Sequence, residues 1–168
     1  MIKKKKVFVT VGSTRFDALI SSIQQKKIQE ALIARGFSKI LVQYGNSKNI
    51  FNNWKPIYGL EVEGFNYTKD IGNAFKESDL IISHAGSGSI IEALELQKQL
   101  IVVVNETLMD NHQIELTEAM SCQKYLISST PENLLQAIES LDKNELQPFS
   151  FPTKKLFPII LDNHMGVN

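Results

Sequence analysis

The greatest density of groups able to do chemistry lies in residues 83–92, Ser83-His84-Ala85-Gly86-Ser87-Gly88-Ser89-Ile90-Ile91-Glu92. Before it, Asp79 heads an apolar run, Leu80 to Ile82, that reads as a buried strand. Glycines and serines then make a tight turn, and an amphipathic helix follows to about Gln97. A strand that ends in a Gly/Ser turn and opens a helix leaves backbone N–H groups free at a positive dipole end, which suits phosphate or another anion. The turn is not a dinucleotide fingerprint, because Ile91 stands where G-x-G-x-x-G needs its third glycine. Nor is it a Walker loop, because no Lys-Ser or Lys-Thr follows the glycines. Turns of this composition also occur for backbone reasons alone.

Two other loops join it. Gly12-Ser13-Thr14 breaks the run Val7 to Val11, and Asn105 to Gln113 follows the run Leu100 to Val104. In an open parallel sheet, ligands bind beyond the carboxyl ends of the strands, so all three loops should face one crevice. Glu92 admits two readings. Ser89-Ile90-Ile91-Glu92 matches the S-x-x-E capping box, and a carboxylate at this place would also accept hydrogen bonds from a ribose diol. Asp110 followed by Gln113 is open to a similar capping reading. Yet four polar side chains in a row, Asp110-Asn111-His112-Gln113, exceed what capping needs and could hold sugar hydroxyls. His84, directly after a strand, suits a packed, hydrogen-bonded role as well as a catalytic one. No His, Asp and Glu cluster has metal-ligand spacing, and no protein-bound metal is expected.

Positioning these loops requires alternating strands and helices. A helical pattern runs from Asp17, through Leu19, Ile20, Ile23, Ile28, Leu32 and Ile33, to Gly36 at its C-terminal stop. Ser38 to Tyr44 reads as a second strand, Leu60 to Phe65 as a more exposed edge strand, and Thr68 to Lys76 as a short helix with Ile71 and Phe75 inward. Residues Ser47 to Pro56 give no clear assignment. Asp110 begins a helix to about Cys122, Tyr125 to Ile127 is a last strand, and Thr130 caps a final helix with Pro131 at its first helical position. The alternation predicts an α/β chain with a single Rossmann-like parallel sheet flanked by helices, over residues 1–146. Residues 147–168 form an apolar tail, expected either to pack on its own domain or to dock on a partner.

Composition narrows the function classes. Eighteen basic and eighteen acidic side chains balance, which disfavours broad nucleic-acid binding. One cysteine, Cys122, excludes an internal disulfide framework and suits a reducing compartment. No apolar run approaches the roughly 20 residues of a bilayer span, so a cytoplasmic chain is expected. Lys3 to Lys6 reads as the solvated approach to a strand, or else as an attraction to an anionic membrane or partner surface.

Taken together, residues 83–92, Ile101-Val102-Val103-Val104-Asn105 and Leu108-Met109-Asp110-Asn111-His112-Gln113 resemble the asparagine-linked glycosylation protein thirteen family. These are the catalytic subunits of the two-part UDP-N-acetylglucosamine transferases of dolichol-linked oligosaccharide synthesis. Phe8 to Thr14, Phe16-Asp17 and Leu19-Ile20 resemble that family's start, and the likeness runs from Val7 to about Leu161. It implies the donor-binding, carboxyl-terminal half of a GT-B glycosyltransferase, similar to that of the bacterial transferase that makes the peptidoglycan lipid intermediate. A membrane-anchored partner of the asparagine-linked glycosylation protein fourteen type would supply the acceptor half.

The implied reaction moves GlcNAc from UDP-GlcNAc to GlcNAc-diphospho-dolichol, with inversion, on the cytosolic face of the endoplasmic reticulum and without a cofactor. By matching position, Gly86, Ser87, Gly88 and Ser89 would meet the diphosphate and Glu92 the ribose. Asn111, His112 and Gln113 would meet the GlcNAc and its phosphate. Gly12, Ser13 and Thr14 would line the same cleft, with Asn105 and Met109 among the substrate-binding residues. His84 and His112 are the general-base candidates on this chain, and the base is otherwise expected from the partner. One departure is Lys98-Gln99, where the family usually has Lys-Pro. The alternative is a non-catalytic nucleotide-sugar-binding module that regulates a partner.

Overall fold

The computed structural model describes residues 3–107, 111–143 and 145–149. Its centre is β1 (Lys5–Thr10), whose Val7, Phe8 and Val9 are fully buried, as a run covered on both faces must be. Around it, among the described residues, all strands pair in parallel in the order β3-β2-β1-β4-β5-β6. The others are β2 (Phe37–Gln43), β3 (Glu61–Phe65), β4 (Leu80–His84), β5 (Gln99–Val103) and β6 (Ile127–Ser129). The chain winds outward from β1 through β2 to β3, then returns to the other side of β1 for β4. The loops after β1 and β4 therefore diverge at the switch point where such sheets bind ligands.

Side-chain alternation divides the apolar residues between the two faces. Val9, Ile82 and Val103 share one cluster with Leu19, Leu32 and Ile138 from α1 (Asp17–Ile23), α2 (Lys26–Ala34) and α7 (Leu134–Glu139). Phe8, Ile81 and Val102 share the other with Phe75, Ile90 and Leu116 from α4 (Gly72–Glu77), α5 (Ser87–Glu95) and α6 (Asn111–Cys122). Each fully buried Leu, Ile or Phe contributes roughly 1.5–3 kcal/mol, so both faces hold the loops on a stiff frame.

Several local expectations are corrected. The pattern from Asp17 is two helices, because Gln25 takes extended backbone (φ −60°, ψ 136°) and the Gln29 amide donates to the Gln24 carbonyl at 2.7 Å. The unassigned stretch holds α3 (Lys48–Asn52), whose Phe51 ring lies against Gly64 of β3. The helix expected from Thr68 starts at Gly72; Thr68 Oγ1 instead accepts the Asp70 N–H at 3.3 Å. Thr130 does not cap α7, whose N-cap is Asn133. The last strand lies two residues later than expected, after Lys124 in the left-handed region (φ 61°).

The lysine run is held locally. Lys3 Nζ pairs with Asp79 at 3.0 Å, Lys6 Nζ with Glu77 at 3.5 Å, and Lys5 Nζ donates to the Arg35 carbonyl at 3.2 Å. The tail begins on its own domain, with Gln147 N–H bonded to the Lys124 carbonyl at 2.7 Å and Phe149 edge-on to Tyr125. The tail from residue 150 lies outside the described residues. No helix among the described residues is long and apolar enough to cross a membrane.

Candidate functional site

The three predicted loops follow β1, β4 and β5, which are neighbours in the sheet, so their carboxyl ends line one side of the molecule. Thr10, the last residue of β1, pairs in register with Gln43 on one side and Ser83 on the other. All three are polar and buried. The Thr10 hydroxyl donates to Gln43 Oε1 at 2.6 Å and accepts the Gly12 N–H at 3.0 Å, which fixes where the first loop leaves the sheet. This network is not among the predicted site residues; its signal is a polar threonine inside the otherwise apolar run Val7 to Val11.

Gly12 has φ +63°, the left-handed region that glycine enters at little cost. Ser13 and Thr14 are exposed, and their carbonyls accept from the Asn46 side chain and N–H at 3.3 and 3.0 Å. The second loop is tighter than predicted. β4 continues to His84, and α5 already begins at Ser87 with Gly86 as its N-cap. Gly86 carries no side chain to cap with, and the N–H groups of Ser87, Gly88 and Ser89 have no acceptor among the described residues.

Two consequences follow for the helix start. Ser89 is the third residue of α5 rather than its N-cap, so Glu92 lies in the second turn and the capping-box reading is overturned. Glu92 is half-buried and makes no hydrogen bond or ion pair among the described residues; its Oε1 lies 3.7 Å from where a Cβ on Gly72 would stand. Gly88 is exposed, and a Cβ there would meet nothing within 4 Å. Glycine in a helix costs up to about 1 kcal/mol relative to alanine, and nothing among the described residues requires it at 88.

His84 is largely buried, with Nδ1 lacking a well-aligned hydrogen bond. Burial pushes its pKa below the ordinary 6.5, with the Thr10 backbone acting in the opposite direction. In the third loop, Asn105 Oδ1 accepts both the N–H and the hydroxyl of Thr107, at 3.3 and 2.8 Å. His112 is exposed and Gln113 half-buried in the first turn of α6. Met109, Asp110 and the Asn111 side chain lie outside the described residues. A separate cavity of about 360 Å³ opens beyond β5 and β6, lined by Val104, Glu106, Ile114, Ser129 and Asn133 among others, and no residue of the first two loops lines it.

The start of α5 brings together three amides without an acceptor, a carboxylate one turn on without a partner among the described residues, and a glycine with open space above it. Residues 6–159 match the glycosyltransferase family 28 C-terminal domain. The chain is 39% identical over 137 residues to the UDP-N-acetylglucosamine transferase subunit ALG13 of Yarrowia lipolytica, covering 80% of this chain and 70% of that one. It is similar to the NMR solution structure of an ALG13, with TM-score 0.75, 30% identity, and 95% and 96% of the two chains covered. Acinetobacter baumannii MurG shares the fold, with TM-score 0.64 at 20% identity over 88% of this chain and 44% of its own, placing the sheet as one half of a GT-B architecture. The chain belongs to the family of ALG13 UDP-N-acetylglucosamine transferase subunits.

Proposed function

We propose that this chain is the donor-binding, catalytic subunit of a heteromeric transferase that moves GlcNAc from UDP-GlcNAc to GlcNAc-diphospho-dolichol with inversion. The observation that carries the reading is the start of α5, where the N–H groups of Ser87, Gly88 and Ser89 stand together beside Gly88's open face and Glu92, all without a partner among the described residues. The diphosphate rests on the three amides, and Glu92 accepts from the ribose hydroxyls. Asn111, His112 and Gln113 bind the sugar and its phosphate, Asn105 and Met109 add to the substrate-binding set, and Gly12, Ser13 and Thr14 line the same cleft.

As the glycosidic bond to UDP breaks, negative charge gathers on the leaving diphosphate. Fixed amides at a helix N-terminus stabilise that charge without reorganising, and this is the largest effect the chain can supply. The acceptor hydroxyl needs a base. His112 is the exposed histidine of the site, whereas His84 is packed away from solvent, so the base comes from His112 or from the partner. A membrane-anchored partner of the asparagine-linked glycosylation protein fourteen type supplies the acceptor half and recruits the chain to the cytosolic face of the endoplasmic reticulum.

Co-purification of the chain with its membrane partner, followed by transfer assays with UDP-GlcNAc, UDP-GalNAc and UDP-glucose, tests the proposal. Transfer from UDP-GlcNAc only when both chains are present is expected. UDP binding with no turnover in any combination would replace it with the regulatory-module reading.

A further inference from the structure

We propose that His84 is a positioning residue, a spacer whose imidazole is held between the Gly12 turn and the Gly86 turn and sets the separation of the two loops that receive the donor diphosphate. The inference rests on the donor-site reading above and assigns His84 a role within it other than proton transfer. A Cβ on Gly12 would stand 3.0 Å from His84 Cε1, and a Cβ on Gly86 would stand 2.5 Å from Nε2. Both lie at or inside the closest approach that packed carbon and nitrogen atoms tolerate. The ring therefore fills the gap between the two glycines, with no room left on either side.

The two glycines are required for different reasons. Gly12 has a positive φ and would be strained by a side chain in any case. Gly86 has φ −79° and ψ 126°, backbone that any residue adopts, so the imidazole alone excludes a side chain there. Both turns are also anchored from beneath. The Thr10 hydroxyl accepts the Gly12 N–H at 3.0 Å, and the Ser83 hydroxyl donates to the His84 carbonyl at 2.7 Å. With the backbone pinned below and the ring wedged above, the free amides at Ser87 to Ser89 keep a fixed distance from the Gly12-Ser13-Thr14 turn. Removing the ring leaves both turns anchored but unspaced. Adding a methyl at Gly86 with the ring in place forces them apart.

The test is a double-mutant cycle on the full chain: wild type, Gly86→Ala, His84→Ser and Gly86→Ala/His84→Ser. UDP-GlcNAc affinity is measured by calorimetry and the thermal midpoint without ligand. Gly86→Ala is expected to weaken donor binding at least tenfold. The double variant is expected to bind more tightly than Gly86→Ala alone, with its midpoint recovering in parallel. Strictly additive losses in affinity would overturn the spacer. Coupling in the midpoint without coupling in affinity would also overturn it, since the ring would then be mere packing. Failure of the wild type to bind UDP-GlcNAc would instead remove the donor-site reading, and with it this role.

Discussion

The carboxylate of Glu92 lies beside Gly72 at the start of α4, with Oε1 3.7 Å from the place a Cβ would take there, and not on the amides of its own helix start. A glutamate in a helix's second turn with no partner among the described residues stabilises nothing by hydrogen bonding. Glu92→Ala should therefore leave the thermal midpoint almost unchanged. Its effect should fall on the ligand: hydrogen bonds to a charged acceptor are worth about 1.5–3 kcal/mol, so donor affinity should drop roughly tenfold or more. Calorimetry and a thermal melt on the same preparation check both halves, and a large midpoint loss with unchanged affinity would restore a structural role.

Gly88 makes the opposite kind of prediction. Alanine in its place meets open space and gains helix propensity, so Gly88→Ala should stabilise the fold by about 0.5–1 kcal/mol. The added methyl stands where the diphosphate would approach the amides, so UDP-GlcNAc binding should weaken in the same variant. Denaturant unfolding and donor titration should move in opposite directions; a gain in both would mean that no ligand comes close to Gly88.

The fold was readable wherever burial alone dictated it. Val7 to Val11, Leu80 to Ile82 and Leu100 to Val104 are apolar enough to be central strands, and they bring the three loops together. What could not be read depends on long-range polar contacts. The break at Gln24-Gln25 carries no glycine or proline, and Gln29, which bonds the freed Gln24 carbonyl, also accepts the Ile57 N–H at 3.1 Å from a distant loop. The S-x-x-E spacing at Ser89 to Glu92 suggested a cap because the pattern is local, whereas the helix starts at Ser87 with Gly86 as its N-cap. Gly86 had no visible reason in sequence beyond a turn, because its neighbour in space is the His84 ring.

Acid sensitivity should follow from His84. Its folded-state pKa lies below the ordinary 6.5, so the unfolded chain takes up the proton first. Stability from this residue is fully present above 6.5 and is lost as the pH falls below it toward the folded value. Denaturant unfolding across that window should show the decline in wild type and a flatter limb in His84→Ser. Equal slopes for the two proteins would contradict the assignment.

The lysine run offers a separate check. Asp79 accepts the Lys6 N–H at 3.0 Å and the Lys3 ammonium at 3.0 Å; burial opposes its charge, and these two donors outweigh it, leaving the carboxyl below its ordinary 3.8. Asp79→Asn should cost about 1 kcal/mol, since the group is partly exposed. In wild type that contribution should be present above pH 3.8 and disappear as the pH falls through the lowered value. Donor affinity should not change. Denaturant unfolding near neutral pH measures the loss, and an unaltered midpoint would show that the strand needs no such anchor.

The most direct measurement is an amide NMR titration of the isotope-labelled full chain with UDP-GlcNAc. The cradle predicts saturable shifts at the N–H groups of Ser87, Gly88 and Ser89, reproduced by UDP and competed by it. Saturable binding that leaves those three amides unmoved would contradict the site on which the whole account rests.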